Sequence, residues 1–334
     1  MGTVQLSDED LARFGVELGD EGAHAYDPDV EWWNESWFWD WYDASGELAG
    51  HCRVGFHPNQ ECGWIWFFLF NGSEWLAVEE PRLPLQRFDP EQLSYSGWGL
   101  ELRYEAADPL RSGLLHFQGF GRVVSGARVG MILPMGAELR IEALGAPHSP
   151  GAGTIPGHSS KTYSTNRFEQ PIRLRGKLRF GNDEHDFEGR GERDHSWGPR
   201  AWNMEWTVLV LNGEGFRMMS ADVRIPNVPP IATGYLHRET SQGLSEVDYR
   251  FVFNDDEVTR PVAGPFSVKA QDGSVIAGRI DPISGTEIDI THTFDPPERS
   301  IYRRALVRFT PEGGGATCLG WYESNRFVRA RARS

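Results

Sequence analysis

The stretch Ile172-Arg173-Leu174-Arg175-Gly176-Lys177-Leu178-Arg179-Phe180 decides the fold class of this sequence. Apolar and basic side chains alternate along it, and a period of two is the pattern of a β-strand with one buried face and one wet face. The basic face could bind an anion, but the solvated outer face of a sheet explains the same pattern, and we favour that interpretation.

Strand patterns continue on both sides of this stretch. Residues 64–70 (Trp-Ile-Trp-Phe-Phe-Leu-Phe) form an apolar run that predicts a strand buried on both faces. Residues 206–219 predict a hairpin around an Asn-Gly turn. One clear helix signal, a capping-box pattern, predicts a short helix over residues 8–14. Because long amphipathic helices are missing, the sequence predicts an all-β protein of antiparallel barrels or sandwiches.

A break in the pattern divides the chain. Residues 145–165 are rich in Gly, Pro, Ser and Thr, which is typical of a linker or a long surface loop. A chain of 334 residues is long enough for two domains of about 150 residues each. We therefore predict an N-terminal β-domain over residues 1–150, a linker over 151–165 and a C-terminal β-domain over 166–334.

Composition and charge exclude several classes of partner. The formal net charge of −15 makes contact with nucleic acid unfavourable. No apolar run approaches the length of about 18 residues that spans a membrane, and the N-terminus lacks a signal-peptide pattern. The cysteines are too few and odd in number for a disulfide framework, so we expect free thiols at Cys52, Cys62 and Cys318. These features predict a cytoplasmic protein without membrane insertion.

Tryptophan is unusually abundant. The 13 Trp residues fit a β-protein with an apolar cavity, and hence a small hydrophobic substrate as its partner. Trp37, Trp39 and Trp41 alternate along the chain, so we expect one strand face to carry all three, as pocket lining or as core.

The densest group of chemically active side chains is Arg193-Asp194-His195-Ser196-Trp197-Gly198-Pro199-Arg200. In an extended segment, His195 and Trp197 point to one face and Asp194 points to the other. His195 is then a proton-transfer group beside a π-surface, and Asp194 could orient or charge the imidazole. A buried polar network that closes one end of a barrel explains the same residues.

Residues 193–200 resemble the signature of a lipocalin-like family related to the carotenoid hydratases. Residues 33–37, 50–55 and 168–171 resemble segments of the same family in the same order. The resemblance implies two tandem lipocalin-like, calycin-type β-domains with an apolar ligand cavity. In the hydratases, water adds across an isolated alkene.

The resemblance also implies site residues. The His-x-Trp pair of the hydratases matches His195 and Trp197. Their Tyr-x-Asp pair falls on Ser220-Ala221-Asp222, so Asp222 matches and the Tyr is missing. That departure leaves the reaction open.

Addition of water to an alkene needs a proton donor, a positioned water and a surface that stabilises a carbocation. The predicted catalytic residues are His195, Asp194 and Asp222. The predicted substrate-binding residues are Trp197, Trp202, Arg193, Glu35 and Trp37, of which Glu35 would also be a good acid in an apolar cavity. No His or Cys spacing matches a metal site, so we predict no metal and no cofactor.

Together these observations predict a cofactor-independent lyase, either a hydratase or a dehydratase, or an isomerase. It would transfer protons on a small hydrophobic alkene such as a terpenoid or an aromatic compound. Two alternatives are a non-catalytic lipocalin-like carrier of a hydrophobic ligand and a pericyclic or cyclase-type catalyst whose cavity folds the substrate. The oligomeric state stays open, with a homodimer among the options.

Overall fold

The computed structural model describes residues 6–12, 14–150, 166–200, 202–253, 261–290 and 299–328. Nearly all regular structure in these residues is β-strand, and the strands pair antiparallel in two sheets. The predicted all-β class with two tandem antiparallel units is therefore confirmed.

Helices are short. The predicted N-terminal helix is present as α1 (Asp8–Ala12), and 3₁₀ turns follow at Leu18–Glu21, Pro58–Gln60 and Leu85–Arg87. Within the described part of the chain, no helix has the length and apolar character needed to cross a membrane.

The first compact unit, Met1–Arg200, is built on an 11-stranded sheet. Its strands are β1 (Trp33–Asp43), β2 (Ala49–His57), β3 (Cys62–Phe70), β4 (Trp75–Pro84), β5 (Phe88–Asp89), β6 (Ser94–Gly97), β7 (Leu100–Asp108), β8 (Ser112–Val123), β9 (Ile132–Ala143), β10 (Asn166–Phe180) and β11 (Asp183–Pro199). The strand order is β4-β3-β2-β1-β11-β10-β9-β8-β7-β6-β5, and an additional pairing of β4 with β8 closes a ring of eight strands. We call this ring the first barrel.

The second compact unit, Ala201–Ser334, is built on a 9-stranded sheet. Its strands are β12 (Glu205–Gly213), β13 (Phe216–Arg224), β14 (Ile231–His237), β15 (Ser241–Tyr249), β16 (Val252–Phe253), β17 (Pro261–Ala270), β18 (Val275–Asp289), β19 (Arg299–Pro311) and β20 (Cys318–Val328). The order is β15-β14-β13-β12-β20-β19-β18-β17-β16, and pairing of β15 with β17 closes a second ring of eight strands. The pairing of β12 with β13 confirms the predicted hairpin.

The boundary between the units lies between Arg200 and Ala201, whereas the sequence predicted it within residues 151–165. The reason is that β10 pairs with β9 and β11 pairs with β1, so both strands are needed to close the first barrel. The structure therefore places residues 166–200 in the first unit and not in the second domain. The predicted linker itself lies outside the described residues.

Strand β10 has the two faces that its alternating sequence predicts. Leu174 and Leu178 are fully buried in the first barrel. Arg175 and Lys177 are exposed and form ion pairs with acidic residues of β11. The basic face is therefore a solvated outer face whose charges are neutralised by the neighbouring strand.

The interior of the first barrel is one apolar cluster. Trp37, Trp39 and Trp41 all belong to it, which confirms their shared face. Strand β3 is buried along its whole length, as its apolar run predicts. Phe67 of this strand is fully buried and stacks on Phe117, with ring centroids 3.7 Å apart.

Two glycines of β11 are required by the backbone. At Gly191 a Cβ atom would lie 1.8 Å from the carbonyl oxygen of Asp40 on β1, so a larger residue would push the two strands apart. Gly198 has a φ of +114°, a conformation that residues with a side chain rarely adopt. Gly191 lets β11 run close to β1, and Gly198 lets its backbone adopt the positive φ at the end of the strand.

We expect Phe67→Ala to lower the free energy of unfolding by about 3–5 kcal/mol, because it removes a buried ring and leaves a cavity. Phe120→Ala is the control, since Phe120 is 61% exposed on β8 and its removal should cost less than about 0.5 kcal/mol. Urea-unfolding curves of both variants measure the difference. Equal destabilisation would contradict the packing described here.

Candidate functional site

The pairing of β1 with β11 brings several predicted site residues together. Trp37 lies opposite His195, and Glu35 lies opposite Trp197. The rings of His195 and Trp197 have centroids 4.9 Å apart, and His195 stacks on Trp37 of the barrel interior. His195 and Trp197 therefore share the inner face of the first barrel, as alternation predicts.

His195 is 1% exposed, and both of its ring nitrogens form hydrogen bonds. Nδ1 donates to the main-chain oxygen of Asp20 at 2.7 Å, because a carbonyl oxygen can only accept. Nε2 lies 3.0 Å from Oε1 of Glu35, which is also 1% exposed. The same oxygen accepts from the main-chain N–H of His24 at 3.1 Å and lies 2.9 Å from His24 Nδ1. We call His24, Glu35 and His195 the His–Glu–His cluster.

Contacts within the cluster shift the pKa values of Glu35 and His24. Burial alone would raise the pKa of Glu35, but hydrogen bonds and charge from His195 and His24 outweigh burial and hold that pKa below its ordinary value. Burial alone would lower the pKa of His24, but Glu35 and Asp20 outweigh it and raise that pKa above its ordinary value. The contact therefore favours a carboxylate beside an imidazolium.

Aromatic rings enclose the cluster. Trp37 stacks on His195 with ring centroids 4.5 Å apart, and Phe168 meets the same imidazole edge-on at 5.8 Å. Trp197 stacks on His24 at 4.0 Å, with the ring planes 3° from parallel. The side chain of His24 is 22% exposed, so the cluster runs from a partly exposed imidazole to a fully buried one.

Arg193 anchors the 3₁₀ turn Leu18–Glu21 to the end of the first barrel. Its Nη1 and Nη2 donate to the two carboxylate oxygens of Glu21 at 2.6 and 2.9 Å. Nη1 also donates to Tyr104 Oη at 2.9 Å, and Nε donates to Gln170 Oε1 at 2.8 Å. The guanidinium is thus surrounded by protein groups, which argues for a structural role and against the predicted contact with substrate.

Asp194 lies on the opposite face of β11 from the cluster. Its Oδ2 is 3.6 Å from Arg167 Nη2, and the side chain is 20% exposed. The structure does not bring this predicted catalytic residue to His195, although the two are adjacent in sequence.

Asp222 and Trp202 belong to the second unit. Asp222 lies on β13, where its Oδ2 accepts hydrogen bonds from Arg224 at 2.7 and 3.1 Å. Trp202 is 4% exposed, and its ring centroid lies 6.4 Å from that of Trp206. The His–Glu–His cluster forms without either residue, from side chains of the first unit.

A family model described as "Domain of unknown function (DUF7064)" matches residues 17–328, a range that contains the whole His–Glu–His cluster. The chain belongs to the DUF7064 family. No curated protein matches its sequence. The match includes the 3₁₀ turn Leu18–Glu21, so this turn is part of the DUF7064 domain.

Solved structures that are similar to this DUF7064 chain include the following three. An AttH candidate (NE1406) from Nitrosomonas europaea has a TM-score of 0.65 at 13% identity, with 93% of this chain and 96% of that chain covered. CghA with Sch210972 has a TM-score of 0.56 at 11% identity, with 98% of each chain covered. Kievitone hydratase from Nectria haematococca has a TM-score of 0.53 at 10% identity, with 86% and 88% covered. At these identities the likeness is one of fold, and it agrees with the two-unit fold that the sequence resemblance implied.

Sequence reasoning missed two residues of the DUF7064 site, His24 and Asp20. Both precede β1 and reach the cluster through tertiary contacts, so no motif spacing connects them to His195. The available signal was weak: His24 is the one His in the sequence ahead of β1.

The cluster also has the composition of a metal site. One ligand atom from each of His24, Glu35 and His195 lies within 4.8 Å of the others, and two His with one Glu is a donor set that zinc enzymes use. However, Glu35 Oε1 lies 2.9 and 3.0 Å from the two ring nitrogens, which are ordinary N–H···O distances. Protons between these atoms can satisfy all three side chains without a metal ion, and the absence of a metal stays a prediction.

We expect Glu21→Gln and Arg193→Gln each to destabilise the protein by about 3–5 kcal/mol, because each leaves one buried charge without its partner. The double variant removes both charges and should be destabilised by less than the sum of the single variants. Urea unfolding of the four proteins gives the coupling free energy. A coupling free energy of zero would show that the two side chains do not act as a pair.

The His24–Glu35 contact predicts stability that depends on pH. The folded protein raises the pKa of His24, so this contribution is fully present below the ordinary value of 6.5 and is lost as pH rises through the raised pKa. The lowered pKa of Glu35 means that its contribution is present above 4.5 and is lost as pH falls through the lowered pKa. His24→Gln should therefore lower Tm most between pH 4.5 and 6.5.

The measurement is thermal unfolding of wild type and His24→Gln over a pH series. His116→Gln on β8 is the control, because it makes the same substitution at a residue outside the His–Glu–His cluster. A Tm difference for His24→Gln that stays constant from acidic to alkaline pH would contradict the charged contact.

Proposed function

We propose that the first barrel is the catalytic unit of a cofactor-independent lyase or isomerase. As a hydratase, dehydratase or double-bond isomerase, it would move a proton on a small hydrophobic alkene. The observation that carries the proposal is the contact between Glu35 Oε1 and His195 Nε2, which is 3.0 Å long and joins two side chains that are each 1% exposed. A carboxylate and an imidazole in contact, enclosed by aromatic rings, can take and return a proton without a cofactor.

Oε2 of Glu35 is the carboxylate oxygen that can contact a substrate. Oε1 receives the hydrogen bonds from His24 and His195, whereas Oε2 takes part in none of the hydrogen bonds formed by the described residues. Because the pKa of Glu35 lies below its ordinary value, the carboxylate is ionised at neutral pH and acts first as a base.

The chemistry of one carboxylate covers the three reactions. Glu35 Oε2 takes a proton from a carbon next to the double bond or next to a C–OH group. Return of that proton to the far carbon of the double bond is an isomerisation. Loss of hydroxide, which combines with one proton to form water, is a dehydration, and its reverse is a hydration.

The other site residues support this base. Both nitrogens of His195 are occupied, so His195 acts through Glu35, which it orients and keeps ionised. Trp37 and Trp197 present indole rings beside the two imidazoles, and such surfaces suit an apolar substrate.

Two of the similar structures support a small-molecule function. One of them is a hydratase by name, kievitone hydratase, and CghA has been crystallised with Sch210972. Since their identities to this chain are 10% and 11%, they support the class of function and not the assignment of residues.

One observation favours a second candidate, a non-catalytic carrier of a hydrophobic ligand. Both nitrogens of His195 and one oxygen of Glu35 are satisfied within the protein, as in a polar network that closes one end of a barrel. A carrier of this kind would bind alkenes and leave them unchanged.

The test incubates the protein with a panel of small terpenoid and aromatic alkenes and alcohols, in deuterium oxide and in heavy-oxygen water. Wild type should place label in the product. Glu35→Gln removes the base and should lower the rate by about 10²–10⁴-fold. Asp194→Asn is the matched control, because it also replaces a carboxylate by an amide. Asp194 lies on β11, next to β1, and its side chain is on the face opposite the cluster, so this variant should keep the wild-type rate.

Unchanged turnover in a folded Glu35→Gln variant would refute the assignment of the base. Binding of the alkenes by wild type with no label in any product would favour the carrier.

A further inference from the structure

His24 is the member of the cluster that reaches the surface. Its side chain is 22% exposed, whereas Glu35 and His195 are 1% exposed. Its Nδ1 faces inward, 2.9 Å from Glu35 Oε1. Among the hydrogen bonds of the described residues, its Nε2 has one contact, to Asp20 Oδ1 at 3.5 Å. Because that distance is at the outer limit of a hydrogen bond, a substrate oxygen can replace the contact at little cost.

The ring of His24 is held in a fixed plane. Trp197 stacks on it at 4.0 Å with the two planes 3° apart, so the ring nitrogens lie at the edge of the stack, where Nδ1 contacts Glu35 and Nε2 has its weak contact to Asp20. An indole face also favours the charged form of an imidazole. The arrangement therefore fixes the direction of the Nε2–H group on a ring whose Nδ1 contacts Glu35.

We propose that His24 is the general acid of this site, donating a proton from Nε2 while Glu35 accepts one at Oε2. The proposal rests on the proposed function and assigns the second of its two proton-transfer groups. Dehydration and hydration need an acid and a base in one site, and neighbouring groups whose environments drive them toward opposite protonation states supply both. Glu35 and His24 are such neighbours, because each stabilises the charged form of the other.

The protons and electrons of the step balance. In a dehydration, Glu35 Oε2 takes a proton from carbon, and the electron pair of that C–H bond forms the new double bond. The C–O bond breaks, and His24 Nε2 gives its proton to the departing hydroxyl, which leaves as water. His24 keeps its proton on Nδ1 and regains the other from solvent at its exposed edge, and Glu35 returns its proton to solvent. Hydration is the reverse.

Among the residues that the structure describes, three titratable groups face the ring of His24. Asp20 approaches from the 3₁₀ turn, Glu35 from β1, and His195 from β11 with its ring centroid at 5.4 Å. The two carboxylates outweigh burial and raise the pKa of His24, so they favour the imidazolium, the form that can donate a proton.

The experiment records kcat/KM against pH for the substrate found in the labelling test. Wild type should give a bell-shaped profile of kcat/KM against pH. Its rising limb should report the pKa of Glu35, and its falling limb should report the pKa of His24. His24→Gln keeps an amide that can hydrogen-bond but cannot give up a proton. It should lower the rate by about 10²-fold on the acid side of the optimum and lose the falling limb. Millimolar imidazole should restore part of that rate.

His116→Gln is the matched control and should keep the wild-type bell. A His24→Gln variant that retains the falling limb, or that imidazole does not rescue, would overturn the proposal. A measurement on wild type alone guards against a variant that fails to fold: in protein with carbon-13-labelled histidine, the NMR titration of His24 should give the pKa of the falling limb. A mismatch between these two values would also overturn it.

Failure of this proposal differs from failure of the proposed function. If wild type shows no turnover, or if Glu35→Gln turns over like wild type, the proposed function fails. If Glu35→Gln is inactive and His24→Gln is unchanged, Glu35 remains the base and His24 is not the acid.

Discussion

The register of β1 against β11 is the constraint on which the site depends. Glu35 and His195 are diagonal neighbours across this pair, near enough for their side chains to meet on the inner face. A shift of one residue in β1 would turn Glu35 to the outer face, and the same shift in β11 would turn His195 outward. Either shift would separate the carboxylate from the imidazole. Gly191 protects the register, because a side chain there would collide with the backbone of β1. Backbone pairing thus decides that the two groups meet.

Two charge contacts at the same end of the barrel have different chemistry. The guanidinium of Arg193 does not lose its proton at physiological pH, so its pair with Glu21 is a permanent anchor. The imidazole of His24, which bonds to Glu35, can gain and lose a proton, so that contact can react. The permanent pair holds the segment on which the reactive one depends.

The sequence predicts what a strand pattern can encode. The alternation of residues 172–180 predicts their two faces, and the same rule correctly places His195 and Trp197 together and Asp194 apart from them. It does not reveal His24, because a loop residue meets a strand only through the tertiary fold. The domain boundary was missed for a related reason: a Gly- and Pro-rich stretch lies between two strands of one sheet, and closure of a barrel leaves no local signal in the sequence.

The turn Leu18–Glu21 and His24 precede β1, so they lie outside every strand of the two rings. A chain shortened to begin at β1 would keep all the strands that define its architecture. It would also leave Arg193 without Glu21, its counter-charge. The Nδ1–H group of His195 would lose its acceptor, the main-chain oxygen of Asp20. The strands alone therefore define a shorter chain than the complete site requires. A domain boundary placed at the start of β1 would give a barrel that lacks the residues that complete the cluster at one end.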